Sequence, residues 1–102
     1  MNNAYGLPLK ATHRITEIFS QYPQIRQVIL YGSRAKGNYR ESSDIDLTIE
    51  GAIDLSTLLK IEQEIDDLLL PWSVDLSVLS QIDNLELIEH IKRRGLVFYQ
   101  AH

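Results

Sequence analysis

Two short segments in which apolar and polar residues alternate strictly place the strongest constraint on the fold of this chain. Residues 44–49 and 74–78 put their apolar side chains on one side of an extended backbone and their polar side chains on the other, as a half-buried β-strand does. Between them, leucine and isoleucine recur at helical spacing over residues 55–69, and Pro71 follows. The pattern therefore predicts a strand, a helix and a second strand.

Two further elements are predicted before these strands. Apolar residues at helical spacing over about residues 8–22, with Pro8 in the first turn, predict a helix that Pro23 ends. Residues 25–31 are rich in β-branched side chains and contain an unbroken apolar run, which predicts a strand buried on both faces. The polar segment 33–42 then predicts one helical turn followed by a loop.

The C-terminal part of the chain predicts one more helix and one more strand. Asp83 is the predicted N-cap, with Glu86 three residues later, and Leu85, Ile88 and Ile91 form an apolar stripe. The basic residues 92–94 lie in the predicted last turn. Gly95 suits the end of this helix, and residues 96–99 predict a short edge strand. The predicted order is therefore helix, strand, turn, strand, helix, strand, helix, with a final strand.

Length and composition exclude several classes of protein. A chain of 102 residues predicts a single domain over residues 1–102. The absence of cysteine excludes disulfides, thiolate metal sites and a cysteine nucleophile. Without a signal peptide or an apolar run of about 20 residues, the chain is predicted to be cytoplasmic, with no membrane contact. The formal net charge of −4 argues against direct nucleic-acid binding.

Three carboxylates are the candidate catalytic groups. Asp44 and Asp46 lie on the polar side of the first alternating strand, about 6.6 Å apart along it, and Asp75 has the matching position on the second. If these strands are neighbours, the like charges converge and raise one another's pKa, a cost that a divalent cation would relieve. Ligand sets made only of oxygen favour Mg²⁺ or Mn²⁺, and two such ions are the usual arrangement for nucleotidyl transfer. The alternative is an ordinary solvated strand face.

The segment that follows the strand 25–31 is a candidate phosphate site. Gly32 allows a sharp turn and a close approach of the backbone to a ligand, and Ser33 begins the predicted helical turn with free N–H groups. Arg34, Lys36 and Arg40 could add positive charge, although a solvated loop explains these three residues equally well.

Together these residues resemble a known family. Gly32-Ser33, then ten residues, then Asp44-x-Asp46 resembles the GS-x10-DxD signature of the DNA polymerase β-like nucleotidyltransferase superfamily. The wider run YGSRAKGNYRESSDIDLTI is similar to the minimal nucleotidyltransferase (MNT) family of bacteria and archaea, which includes the MntA-like antitoxins of HEPN/MNT pairs. The resemblance implies an α/β (α+β) fold in which helices pack on one side of a small mixed β-sheet, the polymerase β-like nucleotidyltransferase palm fold.

The resemblance also implies a role for each matching residue. The three carboxylates match the catalytic and metal-binding positions, and the third of them helps to deprotonate the acceptor hydroxyl in active relatives: Asp44, Asp46 and Asp75. The Gly-Ser pair matches the triphosphate-holding position, and two basic residues fall within the same pattern: Gly32, Ser33, Arg34 and Lys36. The implied cofactor is Mg²⁺, as two ions, with Mn²⁺ as an alternative, and the implied substrate is ATP.

The implied activity is the transfer of a nucleoside monophosphate, AMP from ATP, to a hydroxyl group. In HEPN/MNT pairs the acceptor is a tyrosine of a separately encoded, all-helical HEPN toxin, whose RNase activity is thereby silenced. Since 102 residues leave no room for an acceptor-binding second domain, a partner chain or a dimer would supply that surface. Two alternatives remain: a catalytic subunit that nucleotidylates a small molecule such as an aminoglycoside, and a non-catalytic antitoxin that acts by binding alone.

The remaining patterns are interpreted structurally. The apolar stripe of residues 55–69 is predicted to be core, and Lys92, Arg93 and Arg94 are predicted to complete a helix terminus. The histidines have no metal-ligand spacing and are predicted to lie at the surface: His13, His90 and His102.

Overall fold

A computed structural model describes residues 3–101 of the chain, so the predicted surface position of His102 lies outside the described residues. Each predicted helix and strand is present, and an additional strand pair precedes the first helix. In chain order, the elements are β1 (Asn3–Ala4), β2 (Leu7–Pro8), α1 (Leu9–Phe19), β3 (Ile25–Tyr31), α2 (Ser33–Lys36), β4 (Ile45–Gly51), α3 (Leu55–Asp66), β5 (Val74–Val78), a 3₁₀ turn (Leu79–Gln81), α4 (Leu85–Arg94) and β6 (Leu96–Gln100).

The four longer strands form one mixed sheet in the order β5–β4–β3–β6. The strands β4 and β5 run parallel, with α3 as the connection between them, and β3 is antiparallel to both β4 and β6. The predicted mixed sheet is therefore confirmed, and the predicted edge position of the last strand agrees with the strand order. The strands β1 and β2 form a separate antiparallel pair that the sequence patterns did not indicate.

One face of the sheet carries the main hydrophobic core. Leu30, Leu47 and Leu76 lie in register across β3, β4 and β5, and each is buried. The core side chains that α1 and α3 add over this face are mainly branched or aromatic: Ile15, Ile18, Phe19, Ile61 and Ile65. The alternation seen in the sequence thus marks the side of each strand that packs against these two helices.

Helix α4 lies against the opposite face of the sheet, next to β3, so helices pack on both faces and not on one side only, as the resemblance implied. The backbone of Gly95, at the end of this helix, fits so closely against Ile29 that an added Cβ would collide with the Ile29 side chain. One turn earlier, the ring of His90 meets the ring of Tyr31 edge-on, with 6.4 Å between the ring centroids. Ile91 is buried at this contact and stands outside the main core. The polar side of β4 and β5 therefore shares a face with α4.

The apolar stripe of α3 is only partly core, which corrects the prediction. Ile61 and Ile65 are buried, whereas Leu55 is 66% exposed, Leu59 is 54% exposed and Leu69, beyond the helix, is 86% exposed. The helix packs on the sheet along a narrow strip, so leucines at the margins of the apolar stripe face solvent.

Helix ends are also fixed by local hydrogen bonds. The side chain of Asp54 accepts a hydrogen bond from the backbone N–H of Thr57 and caps α3. At α4 the cap is Asn84, which accepts from the N–H of Leu87 at 3.1 Å, and not the predicted Asp83. None of the helices within residues 3–101 has the length and apolar character needed to cross a membrane.

Candidate active site

Asp46 and Asp75 are direct neighbours across the parallel β4–β5 pair. Because residues in register on adjacent strands point to the same side, both carboxylates lie on the face opposite the main core. The sequence predicted convergence only if these strands were adjacent, and the structure meets that condition. Asp44 lies one residue before β4 and is exposed to solvent.

The three carboxylates interact electrostatically. Burial raises the pKa of Asp46, and the negative charges of Asp75 and then of Asp44 raise it further. They do not form a closed cage, since no three acidic or histidine side chains among those that the structure describes are grouped closely enough to hold an ion. Oxygen donors that repel one another nevertheless fit a hard divalent cation, whose charge would offset the repulsion and draw them together.

In metal-free buffer at pH 7, Asp46→Asn is expected to raise the free energy of unfolding. The folded protein holds the Asp46 proton more tightly than the unfolded chain, in which the carboxyl has its usual pKa of 3.8. The stability of wild type therefore falls as the pH rises through the window from about 4 to the raised pKa, and the asparagine variant lacks this loss. Urea midpoints at pH 4 and pH 7 in EDTA would measure the effect. A variant less stable than wild type at pH 7 would contradict the prediction.

The strand β3 ends at Gly32, whose backbone approaches the Asp46 carboxylate closely. Gly32 has φ 79° and ψ −155°, a conformation that only glycine adopts readily. A Cβ at this position would collide with Oδ2 of Asp46. Ser33 follows at once as the first residue of the short helix α2. The Gly-Ser turn and the carboxylates therefore lie together at one end of the sheet.

Gly32→Ala is expected to lower the free energy of unfolding by about 3 kcal/mol, because the added methyl group meets both a strained backbone and the Asp46 carboxylate. Gly37→Ala is the matched control. Gly37 also has positive φ, at 89°, but an added Cβ there would meet no other atom within 4 Å, so we expect a cost of about 1 kcal/mol. Urea unfolding of both variants would test the difference, and equal costs would contradict it.

Arg34 occupies a different place from the one expected of a triphosphate ligand. The residue is 2% exposed, and its guanidinium lies 5.1 Å from the ring centroid of Tyr39 and 5.9 Å from that of Trp72. The same group donates four hydrogen bonds, all to backbone carbonyl oxygens: those of Tyr5 (3.0 Å), Glu41 (3.1 Å) and Ser43 (2.9 and 3.2 Å). We therefore correct the predicted nucleotide contact and assign Arg34 to holding the β1–β2 pair and the loop before β4.

Lys36, in contrast, is exposed at the mouth of a cavity of about 640 Å³. Asn38 lines the cavity beside Lys36, and the α4 residues His90 and Arg94 line it from the other side. The position of Lys36, at the end of α2 and three residues after Ser33, is compatible with the predicted contact to a bound phosphate chain. Arg94, predicted only to complete a helix terminus, borders the same cavity.

His90 is a contact of the site that sequence reasoning missed. Its Nε2 accepts a hydrogen bond from the backbone N–H of Gly32 at 3.3 Å, and the ring is half-buried, not at the open surface as predicted. The two residues are 58 positions apart. No spacing rule links them, because the contact depends on how α4 docks on the sheet.

Two residues further along β4 and β5, on the same face as the carboxylates, two hydroxyl side chains form a hydrogen bond with each other. The hydroxyl of Ser77 donates to the hydroxyl of Thr48 at 2.9 Å, and Thr48 is fully buried. Burial raises the pKa of Tyr31, a hydrogen bond with Ser77 offsets part of the rise, and the charges of Asp75 and Asp46 add to it. Tyr31 is therefore a neutral phenol at physiological pH.

A family model described as polymerase beta, nucleotidyltransferase, matches residues 13–102. The chain belongs to this nucleotidyltransferase family. This chain is 34% identical over 62 residues to a Methanocaldococcus jannaschii protein named as a candidate protein adenylyltransferase. That alignment covers 61% of this chain and spans 59% of the relative's length.

The fold of this nucleotidyltransferase is shared with solved toxin–antitoxin structures. One, described as a toxin–antitoxin with AMP-PNP, matches at a TM-score of 0.71 and 21% identity over 89% of this chain and 74% of the other. A second, described as a tri-AMPylated Shewanella oneidensis HEPN toxin in complex with MNT antitoxin, matches at 0.66 and 19% identity over 91% and 72%. At these identities the likeness establishes the polymerase β-like fold.

Proposed function

We propose that this nucleotidyltransferase moves a nucleoside monophosphate, AMP from ATP, onto a hydroxyl group of a HEPN-type partner protein. The observation that carries the proposal is the register of β4 and β5, which pairs Asp46 with Asp75, while the Gly32 turn lies against the Asp46 carboxylate. A triphosphate held at this turn would have its α-phosphorus close to carboxylates that fit a divalent cation.

In the proposed reaction, the acceptor hydroxyl oxygen bonds to the α-phosphorus while the bond from that phosphorus to the bridging oxygen breaks, and pyrophosphate leaves. The turn at Gly32 and Ser33 holds the triphosphate: Gly32 allows the close approach, and the backbone at Ser33 binds the phosphates. Lys36 supplies a positive charge beside them. Asp75 accepts the proton of the acceptor hydroxyl. Magnesium, as two ions held by Asp44, Asp46 and Asp75, or manganese in its place, would neutralise the triphosphate and the leaving pyrophosphate.

A protein acceptor is supported by the relatives. The similar protein of Methanocaldococcus jannaschii is named as a candidate protein adenylyltransferase. Among the structures that share the fold, one contains an MNT antitoxin in complex with an AMPylated HEPN toxin. We therefore favour an antitoxin that modifies its toxin, forming a hetero-oligomer with it during the reaction.

Label transfer would test this proposal directly. The purified protein is incubated with Mg²⁺, α-labelled ATP and lysate from its source cells, and the products are separated on a denaturing gel. A parallel reaction contains γ-labelled ATP, and another contains the Asp46→Asn variant. We expect one discrete protein band from the α label alone, which is absent with the variant and whose position on the gel gives the size of the partner.

Two other results would contradict the proposed function, and each would support a different one. Label found on a small hydroxyl compound, such as an aminoglycoside, with no labelled protein would make the chain the catalytic subunit of a small-molecule nucleotidyltransferase. If the Asp46→Asn variant protected cells from the toxin as well as wild type does, without transferring label, the chain would act as an antitoxin by binding alone.

A further inference from the structure

The turn that begins at Gly32 is held from two sides by groups from different parts of the chain. On one side, the carboxylate of Asp46 fills the space that a Cβ would need. On the other, the N–H of Gly32 donates to Nε2 of His90, which projects from α4. The His90 ring is itself oriented by its edge-on contact with Tyr31, whose ring plane is tilted 77° to it.

This restraint has a physical purpose, because a glycine backbone has more conformational freedom than that of any other residue. Gly32 is held at φ 79° and ψ −155°, one of several conformations open to glycine, so contacts with neighbouring groups must select it. The contact with Asp46 leaves no room for a side chain at position 32, but it does not fix the orientation of the peptide group between Tyr31 and Gly32. The bond to His90 does, since it fixes the direction in which the N–H points.

We propose that His90 is a positioning residue that holds the Gly32–Ser33 turn in the conformation that receives the nucleotide, and so makes α4 part of the nucleotide site. The proposal rests on the proposed function only for the identity of the ligand. To accept this bond, Nε2 must lack a proton, so Nδ1 carries the proton of the neutral ring. His90 also lines the cavity between the end of α2 and α4, which Lys36 and Arg94 border.

Two substitutions at His90 separate the accepted hydrogen bond from the packing of the ring. His90→Phe retains an aromatic ring against Tyr31 but has no acceptor. His90→Gln loses the ring but places an amide oxygen near the position of Nε2. His13→Phe, at an exposed position of α1, is the control for the same change elsewhere.

Two measurements are made on each variant. The first is the Kd of Mg·ATP by calorimetry, and the second is the NMR shift and hydrogen-exchange rate of the Gly32 amide. The chain has only five glycines, so the signal of this amide can be assigned readily. Loss of the hydrogen bond in His90→Phe is expected to weaken Mg·ATP binding by about three- to tenfold and to speed exchange of the Gly32 amide. His90→Gln should restore both to within about twofold of wild type. If the phenylalanine variant does not fold, His90→Leu takes its place as the acceptor-free variant.

Each alternative result has a definite meaning. An unchanged Gly32 amide in the acceptor-free variant, or equal losses in the phenylalanine and glutamine variants, would overturn the positioning role while leaving the proposed function intact. If wild type bound no Mg·ATP, the proposed function would fail. The Gly32 amide would then still decide whether His90 holds the turn.

Discussion

Replacing Asp46 with asparagine is expected to lower the rate of nucleotidyl transfer by at least about a thousandfold. Asparagine preserves the shape of the side chain beside Gly32 but removes the negative charge that faces Asp75. The site then loses a carboxylate ligand of the proposed metal ions, and with it several kcal/mol of stabilisation of the charge that develops on the phosphates. Initial rates of transfer from α-labelled ATP, at saturating Mg²⁺, would measure the loss.

The control for this prediction is Asp83→Asn, the same change at an exposed position in the loop before α4. It should transfer label at the wild-type rate. A rate for Asp46→Asn within tenfold of the control would show that Asp46 is not a metal ligand, and the role of the whole strand face would have to be reconsidered. Because Asp46→Asn is also expected to stabilise the metal-free protein, a loss of activity cannot be attributed to unfolding.

The second large effect is expected on stability. Arg34→Met should lower the free energy of unfolding by about 2–4 kcal/mol. Methionine retains the aliphatic volume between Tyr39 and Trp72 but donates no hydrogen bond, so three backbone carbonyls lose their shared partner. For a domain of this size the melting temperature should fall by about 10–20 °C, as followed by circular dichroism or calorimetry.

Lys36→Met, two residues further along α2, is the matched control for Arg34→Met. Lys36 is exposed and makes no hydrogen bond or ion pair within the described part of the chain, so its replacement should shift the melting temperature by no more than about 4 °C. If the two variants melted together, Arg34 would be no more structural than a surface lysine, and its predicted role as a nucleotide contact would need to be restored.

The sequence predicted the strands of the sheet well, because the burial of a strand determines which of its positions are apolar. A strand buried on one face alternates apolar and polar residues, and a strand buried on both faces has an unbroken apolar run. The strands over residues 25–31 and 74–78 lie where the patterns placed them. The polar positions of the strands predicted over residues 44–49 and 74–78 could also be assigned to one face from alternation alone. The adjacency of β4 and β5 was open, since alternation within a strand does not identify its neighbour.

Contacts between distant segments account for the errors at the site. Arg34 resembled a phosphate ligand because it is a basic residue in a polar segment beside Gly32 and Ser33. Nothing in the local sequence shows that backbone carbonyls from two distant segments surround its guanidinium. His90 looked like a surface residue for the same reason. Its role depends on the docking of α4 against β3, a contact that no single helix pattern encodes.

The incorrect prediction that the leucines of α3 are core residues has a different cause. Leu55 and Leu59 fit the apolar stripe of α3 by spacing, yet more than half of each is exposed. Periodicity gives the direction of a helix face but not its width, which depends on how much sheet lies beneath the helix. The small sheet leaves room for only part of the stripe.

The mutually satisfied hydroxyls of Thr48 and Ser77 leave no unpaired polar group on the floor beneath Asp46 and Asp75. Asp46 is half-buried and Asp75 is exposed, so both carboxylates lie where the protein interior meets water. Negative charges with protein on one side attract dissolved cations more strongly than the same charges surrounded by water. We therefore expect divalent cations to collect at this end of the sheet before a nucleotide arrives.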